Sequence, residues 1–442
     1  MTIRMDEGAA ELLDTLHRAG YAAYVVGGCV RDSLLGLTPH DWDLCTSALP
    51  QQGMELFGAE KCIPTGLQHG TVTVKQGGGL YEITTFRTEG AYTDGRHPDE
   101  VHFVPDVRED LARRDFTINA VAYNAKEGLI DPFGGQADLQ SGILRAVGVP
   151  HQRFTEDALR ILRLYRFAAR FGFAIDPPTA QAAQELCAHL DCVSVERIEE
   201  ELAKLLSAPA PAAYLDEKIL GVVLPELSPE ALAAAKPVVD ACPAGERALP
   251  VRLAALLLSL GEDGTRRTLR RLRCSNACIE ETAVLVREVV SGVPGAFSSD
   301  TNRAIPSPAL LPAATGSHPS GRSSEKLPAR PPVSLNIYAR RLLGKYNLCT
   351  VQRLAALGTA LQPEHAADFA ALSELAERLD ADGVCCRVSQ LAVNGRDLMA
   401  AGVPAGPGIR KVLEALLDGV IREEYPNERQ ALLAAVQQLA AS

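Results

Sequence analysis

The apolar run Tyr24-Val25-Val26 stops at two glycines, and the chain continues Cys29-Val30-Arg31-Asp32-Ser33-Leu34-Leu35-Gly36 and then, four residues on, Asp41-Trp42-Asp43. This stretch restricts the fold more tightly than any other. The β-rich run predicts a strand, and the double glycine allows a sharp turn that bares backbone N–H groups with no Cβ in the way. Val30 to Leu35 fit a short helix closed by Gly36, whose N-terminal amides at Gly28 and whose Arg31 direct positive charge at one anion. On a strand, Asp41 and Asp43 project from one face and form a set of hard oxygen donors for Mg²⁺. Paired metal ions remove the repulsion between such carboxylates, activate an attacking hydroxyl and stabilise the leaving oxygen of an in-line displacement at phosphorus. An isolated D-x-D reads as solvated loop. The glycines and the arginine upstream turn it into a site for a nucleoside triphosphate and its metal ions.

Composition fits an enzyme of several modules, because 442 residues exceed the roughly 250–300 that a single core accommodates. Met1 to Ala10 holds no apolar core of signal-peptide length, and the longest apolar run, Leu253 to Leu260, is too short to span a bilayer. The expectation is a cytoplasmic protein with no membrane contact. Eleven cysteines are scattered without a C-x-x-C pair and read as small buried hydrophobes. The net charge of -11 argues in sum against a nucleic-acid partner. Arginines nevertheless group at 160, 163, 166 and 170, at 266, 267, 270, 271 and 273, and at 340 and 341 with Lys345, each a candidate phosphate-binding strip or an ordinary solvated helix face.

Alternation over Gly70 to Lys75 and over Tyr81 to Arg87 predicts two strands joined at Gly77-Gly78-Gly79. Glu82 is a candidate third carboxylate if its strand lies beside the one carrying the aspartates. Thr88 to Pro98 is polar, bears glycines and lacks periodicity, which reads as a loop. Arg113-Arg114-Asp115-Phe116-Thr117-Ile118-Asn119-Ala120 is expected to open a helix, with an anion offsetting two arginines at its positive end and with Asp115 and Asn119 meeting a ribose hydroxyl. Glu156 to Phe167 reads as one helix with arginines at every third position after Asp157. Asp157 and Arg160 suit a nucleobase, and Arg163 and Arg166 suit phosphates or the support of those two. The Watson–Crick edges of cytosine and adenine offer an amino donor beside a ring-nitrogen acceptor, which a carboxylate and a guanidinium complement. Uracil and guanine would set a carbonyl against Asp157, at about 1–3 kcal/mol or more for unpaired buried groups.

In combination and order, GGCVRDSLLGLTPHDWD, RRDFTINAVAYN, DPFGGQADLQSGILRAVG and RFTEDALRILRLYRFAARFGFAID resemble the bacterial class II CCA-adding enzymes, tRNA nucleotidyltransferases of the family that includes bacterial poly(A) polymerases. The resemblance runs from about Gly20 to Ala203 and takes in Val195-Glu196-Arg197-Ile198. It implies an α+β architecture: a polymerase-beta-like nucleotidyltransferase head (1–150), a neck for nucleobase selection (151–207), a helical body (208–293) and a helical tail for tRNA (334–442). Residues 294–333, rich in Pro, Ser, Ala and Gly, depart from the family and read as a disordered insertion. By motif, Asp41 and Asp43 correspond to the metal-binding pair, Gly28, Arg31 and Arg114 to triphosphate or ribose contacts, Asp157 and Arg160 to the pair that templates the incoming base, and Arg163 and Arg166 to the same nucleotide pocket. The implied reaction is addition of CCA to the 3′ end of tRNA from CTP and ATP, with Mg²⁺ and with no protein partner indicated.

The stretch from Phe86 to Pro98 resembles the flexible loop that CC-adding relatives lack. Val251 to Gly261 stands where some relatives carry a His-Asp phosphohydrolase signature and offers no metal ligand, so no phosphohydrolase activity is expected. Gly402 to Arg410 resembles part of the tRNA-gripping tail. The same head motifs also fit a poly(A) polymerase, or a CC- or A-adding member. The end at Leu439-Ala440-Ala441-Ser442, without a basic run, favours CCA addition.

Overall fold

A computed structural model describes residues 3–90, 100–290 and 334–439. Its contacts divide the chain into two units, Met1–Glu226 and Leu227–Ser442. The expected head and neck therefore fall in the first unit together with residues 208–226, and the expected tail falls in the second.

The first unit begins with α1 (Glu7–Arg18), β1 (Ala23–Val26), α2 (Gly28–Leu34), β2 (Leu44–Thr46), α3 (Pro50–Phe57), β3 (Cys62–Gly66), β4 (Thr71–Gln76), β5 (Gly79–Thr85), β6 (Arg87–Glu89) and β7 (Val101–Phe103). It continues with α4 (Val107–Ala112), β8 (Ala122–Asn124), β9 (Gly128–Ile130), α5 (Gly135–Ser141), β10 (Ile143–Leu144), α6 (Pro150–Glu156), α7 (Leu159–Phe171), β11 (Ala174–Ile175), α8 (Pro177–Glu185), α9 (Val195–Leu206) and α10 (Glu217–Val223). Seven strands form one sheet in the order β3-β4-β5-β2-β1-β8-β9. β2 and β5 run parallel, and the other neighbours are antiparallel.

β1 is buried on both faces because its residues alternate between two cores. Ala23 and Val25 pack with Leu12, Leu16, Leu44 and Val72, and Tyr24 and Val26 with Phe86, Leu111 and Ala122. The two strands expected around 70–87 are β4 and β5, joined through Gly77 and Gly78 at φ +57° and +85°. β6 and β7 form a separate ribbon. The stretch resembling the flexible loop is described only as far as Gly90; residues 91–99, like the expected insertion at 294–333, lie outside the described residues.

Gly135, the first residue of α5, lets that helix approach the turn at Thr117–Asn119. A Cβ there would run into the Thr117 carbonyl oxygen and the Val121 side chain. Gly135→Ala is expected to lower stability by about 1–3 kcal/mol through overpacking against backbone, read as a shift of the urea unfolding midpoint; an unchanged midpoint would show that the turn yields freely.

The second unit comprises α11 (Pro229–Ala241), α12 (Leu249–Leu257), α13 (Gly261–Arg271), α14 (Asn276–Val290), α15 (Leu335–Lys345), α16 (Leu348–Leu361), α17 (Ala366–Ala381), α18 (Gly395–Ala400), α19 (Gly408–Ile421) and α20 (Arg429–Leu439). α12 is buried from Pro250 to Leu257. Leu398, Leu416, Val420, Leu432 and Val436 close a core among α18, α19 and α20. Among the described residues no helix is long and apolar enough to cross a membrane. Eight of the eleven cysteines are buried, at 29, 45, 62, 187, 242, 274, 385 and 386.

Candidate active site

Gly27 turns the chain after β1 with φ +78°, and Gly28 opens α2. A Cβ on Gly27 would lie 2.9 Å from Nη1 of Arg114, so this glycine admits a guanidinium against the turn. Asp41 and Asp43 do not lie on a strand, as expected, but in the extended segment just before β2. Only the Asp43 end joins the sheet, where its carbonyl oxygen accepts from Val26 N–H at 3.0 Å. Both aspartates are exposed. Protein packed around Asp43, and after it the charges of Asp41 and Glu82, push its carboxyl up to about 6, with Arg114 pulling the other way. β5 does lie beside β2, with Ile83 opposite Leu44. Glu82 thus adds its charge to the aspartates, although no three His, Cys, Asp or Glu side chains among the described residues are arranged to hold a metal.

Arg113 and Arg114 do not open a helix. Arg113 caps the C-terminal end of α4, where positive charge favours the helix dipole, and a turn of 3₁₀ helix follows at Thr117–Asn119. The fully buried Asp110 accepts from Arg113 at 2.8 and 3.0 Å and from Nη2 of Arg114 at 3.3 Å. Arg114 Nε is buried with no hydrogen-bond partner among the described residues. A buried donor left open in this way points to a ligand acceptor at this place.

Asp115 and Asn119 bridge protein groups. Asp115 accepts from Phe116 N–H (2.8 Å), from Asn119 (3.0 Å) and from Arg163 Nε (3.0 Å), and Asn119 accepts from Arg31 Nη1 at 2.6 Å. Burial works to raise the Asp115 carboxyl, but the Arg163 charge, the Asn119 hydrogen bond and the Arg160 charge bring it down to about 2. A folded value below the unfolded one stabilises the protein above pH ~4 and ceases to do so as pH falls toward about 2. Acid unfolding of Asp115→Asn is therefore expected to be flatter between pH 4 and 2, with about 2 kcal/mol less stability at pH 7; an identical acid profile would exclude the bridge as a source of stability.

Arg31 is buried, its guanidinium 5.2 and 5.0 Å from the ring centroids of Phe167 and Phe171 and hydrogen-bonded to Asp32 at 2.8 Å. It braces α2 against α7. The expected helix at 156–167 is broken: α6 ends at Glu156, Asp157 is extended at φ -144°, ψ 103°, and α7 starts at Leu159. Asp157 accepts from Leu159 N–H at 3.1 Å and from both terminal nitrogens of Arg197, at 2.8 and 3.3 Å. Arg160 donates to the carbonyl oxygens of Arg153 and Arg113, each at 3.1 Å, and to Glu156 at 2.7 Å. Arg166 is set apart from this group, buried over the Phe167 ring at 3.8 Å and paired with Glu201 of α9. Arg114 thus lies against the Gly27 turn within range of the Asp43 charge, and the carbonyl oxygen of the preceding Arg113 accepts from Arg160. Asp110 and Arg197, both part of this framework, were not singled out by the sequence; the Asp106-Val107-Arg108-Glu109-Asp110 cap pattern held the signal for the first.

Three family models match, the Poly A polymerase head domain over residues 23–145, the probable RNA and SrmB-binding site of polymerase A over residues 172–230, and the putative tRNA nucleotidyltransferase domain 2 over residues 334–436. The chain is 36% identical to a CCA-adding enzyme of Lactobacillus delbrueckii subsp. bulgaricus, over 96% of each chain. It is 35% identical to one of Geobacillus thermodenitrificans, over 96% of this chain and 95% of that one. Its structure is similar to that of the Bacillus stearothermophilus CCA-adding enzyme in complex with CTP, with a TM-score of 0.77 at 30% identity, covering 99% of this chain and 98% of that one.

Proposed function

The chain belongs to the CCA-adding enzyme family, and from that premise we propose that it adds C, C and A in turn to the 3′ end of tRNA, using CTP and ATP and releasing pyrophosphate. The observation that carries the reading is Arg114, placed against the Gly27 turn within range of the Asp43 charge, with the adjoining Arg113 carbonyl accepting from Arg160 and Asp157 at the helix break. It supports a reading in which the paired carboxylates act with a buried, unpartnered guanidinium Nε and with Asp157 and Arg160 as the base-recognising pair.

The donor set fits a hard divalent cation, for which Mg²⁺ is our assignment. Asp41 and Asp43 supply only oxygens, and the Asp43 carboxyl is raised first by the protein packed around it and then by the charges of Asp41 and Glu82, which a cation would offset. Asp41 and Asp43 would hold the metal, which would supply the positive charge that favours loss of the 3′-hydroxyl proton and offsets the charge on the departing pyrophosphate. The Gly27-Gly28 turn and Arg114 hold the triphosphate so that the 3′ oxygen bonds to the α-phosphorus as the bond to pyrophosphate breaks. Asp157 and Arg160 read the base. Arg163 ties α7 to Asp115, Arg31 of α2 packs over the Phe167 ring of α7, and Arg166 ties α7 to Glu201 of α9.

In domain terms we assign chemistry to 1–150, base choice to 151–207, support to 208–293 and tRNA binding to 334–442. The tRNA nucleotidyltransferase match at 334–436 supports the last of these. A tRNA substrate accords with a cytoplasmic location. The test is extension of a tRNA transcript lacking its last three nucleotides with Mg²⁺ and each triphosphate, alone and combined. Growth by three nucleotides that needs CTP and then ATP is the expected result. Addition of C alone, or a long ladder with ATP alone, would overturn it.

A further inference from the structure

We propose that the sheet face beside the paired aspartates seats the RNA end being extended, with the hydroxyls of Thr65, Thr71, Thr73 and Thr84 taking the 2′-hydroxyls of its last nucleotides. The proposal deepens the tRNA reading above and rests on it. Strand register defines the face. Ile83 of β5 lies opposite Leu44 of β2 and Val72 of β4, and all three enter one core. Side chains alternate along a strand, so Glu82 and Thr84 point to the other face. There Thr73 lies opposite Glu82, and Thr71 opposite Thr84. Ile63 of β3 lies opposite Thr73, and two residues further on the Thr65 hydroxyl meets that of Thr73 at 2.8 Å. The hydroxyls of Thr71 and Thr84 are 3.0 Å apart.

The face is open and poor in positive charge. Glu82 and Thr65 are exposed, Thr71 and Thr84 are half-buried, and Thr73 is buried. Within each threonine pair one hydrogen makes the mutual bond, which leaves the second hydrogen and the spare lone pairs to a ligand. Among the described residues no other side chain bonds these four hydroxyls. They fit a group that both donates and accepts, as a ribose 2′-hydroxyl does. A phosphate fits poorly, because Glu82 sets a negative charge among them and the one cation in β3, β4 and β5 is Lys75, opposite Leu80.

The geometry of displacement puts RNA on this side. β2 lies between β1 and β5. The Gly27-Gly28 turn assigned to the triphosphate follows β1, whereas Glu82 belongs to β5. Attacking and leaving oxygens stand roughly in line at phosphorus. With pyrophosphate on the β1 side, the 3′-oxygen therefore approaches from the β5 side. Neighbouring strands are about 4.8 Å apart, so β5 to β3 spans roughly 10 Å, enough for the terminal sugar and the one before it.

The test uses the whole protein and truncated tRNA with a 2′-deoxy sugar at the terminal or the penultimate nucleotide, compared with the all-ribose transcript by kcat/KM for the RNA at saturating CTP. Wild type is expected to lose about tenfold on at least one deoxy RNA. Thr71→Val combined with Thr84→Val, and Thr65→Val alone, remove hydroxyls but keep side-chain shape and strand preference. Thr65 is exposed, so its variant serves if the double one does not fold. In both, the preference for ribose should shrink toward none, because RNA and protein lose the same bond, with KM for CTP unchanged. Thr73→Ser keeps a hydroxyl and should keep the preference. A wild type indifferent to both deoxy sugars, or valine variants with the wild-type preference, would overturn the proposal. A wild type that extends no RNA would instead remove the reading on which it rests.

Discussion

Asp43→Asn is expected to abolish nucleotide addition from both CTP and ATP while raising the melting temperature of the metal-free protein at neutral pH. The first effect follows from the loss of one of two anionic oxygen donors. A metal stabilises the transferring phosphoryl group by several kcal/mol, so weakening its hold costs about 10³-fold or more in turnover. The second follows from linkage. The Asp43 carboxyl sits at about 6, above the roughly 3.9 of an unfolded chain, so its ionisation costs stability progressively as pH rises from about 4 to about 6, and in full above that. Removing that charge stabilises the metal-free fold at pH 8 and changes nothing below pH 4, where both states are protonated. By the same logic Mg²⁺ should raise the melting temperature of the wild type and not of the variant. Turnover near wild type, or a lowered metal-free melting temperature, would refute the assignment.

Asp157→Ala should act on choice and not on chemistry. With the carboxylate gone, the amino group of cytosine or adenine loses its acceptor, and the carbonyl of uracil or guanine no longer meets an opposing oxygen. Discrimination is expected to shrink by about 10–100-fold, the equivalent of roughly 1–3 kcal/mol for an unpaired buried group. The response of activity to metal concentration should stay as in the wild type, because the metal carboxylates lie on the segment before β2 and not on the neck helices. Unchanged rejection of UTP and GTP would mean that the base is read elsewhere.

Where chemistry and local pattern coincide, the fold was legible. The Gly27-Gly28 turn and the β4–β5 hairpin follow from residues within a few positions of one another. The aspartate pair was not legible as a non-strand segment, since only the Asp43 carbonyl meets β1 and Asp41 lies outside the sheet. Arg113 and Arg114 were misplaced because adjacency in sequence does not say which end of a helix they occupy; the cap at Asp106 sets α4 upstream of them. Glu156 to Phe167 reads as an unbroken helix because its residues nearly all favour one. The break at Asp157 is tied to Arg197, forty positions away, and no local propensity could disclose it.

The placement of β1 has a consequence for how the protein is made. Its neighbour β2 follows within about twenty positions, but on its other edge Val25 pairs with Tyr123, 123 − 25 = 98 residues later. At about 5–20 residues per second, a ribosome takes roughly 5–20 s to deliver that partner. Throughout that interval the most apolar strand of the sheet presents an open edge to whatever nascent chain or chaperone is near. Stalling or truncation between β2 and β8 should therefore yield aggregating fragments, whereas release after the first unit is complete should not.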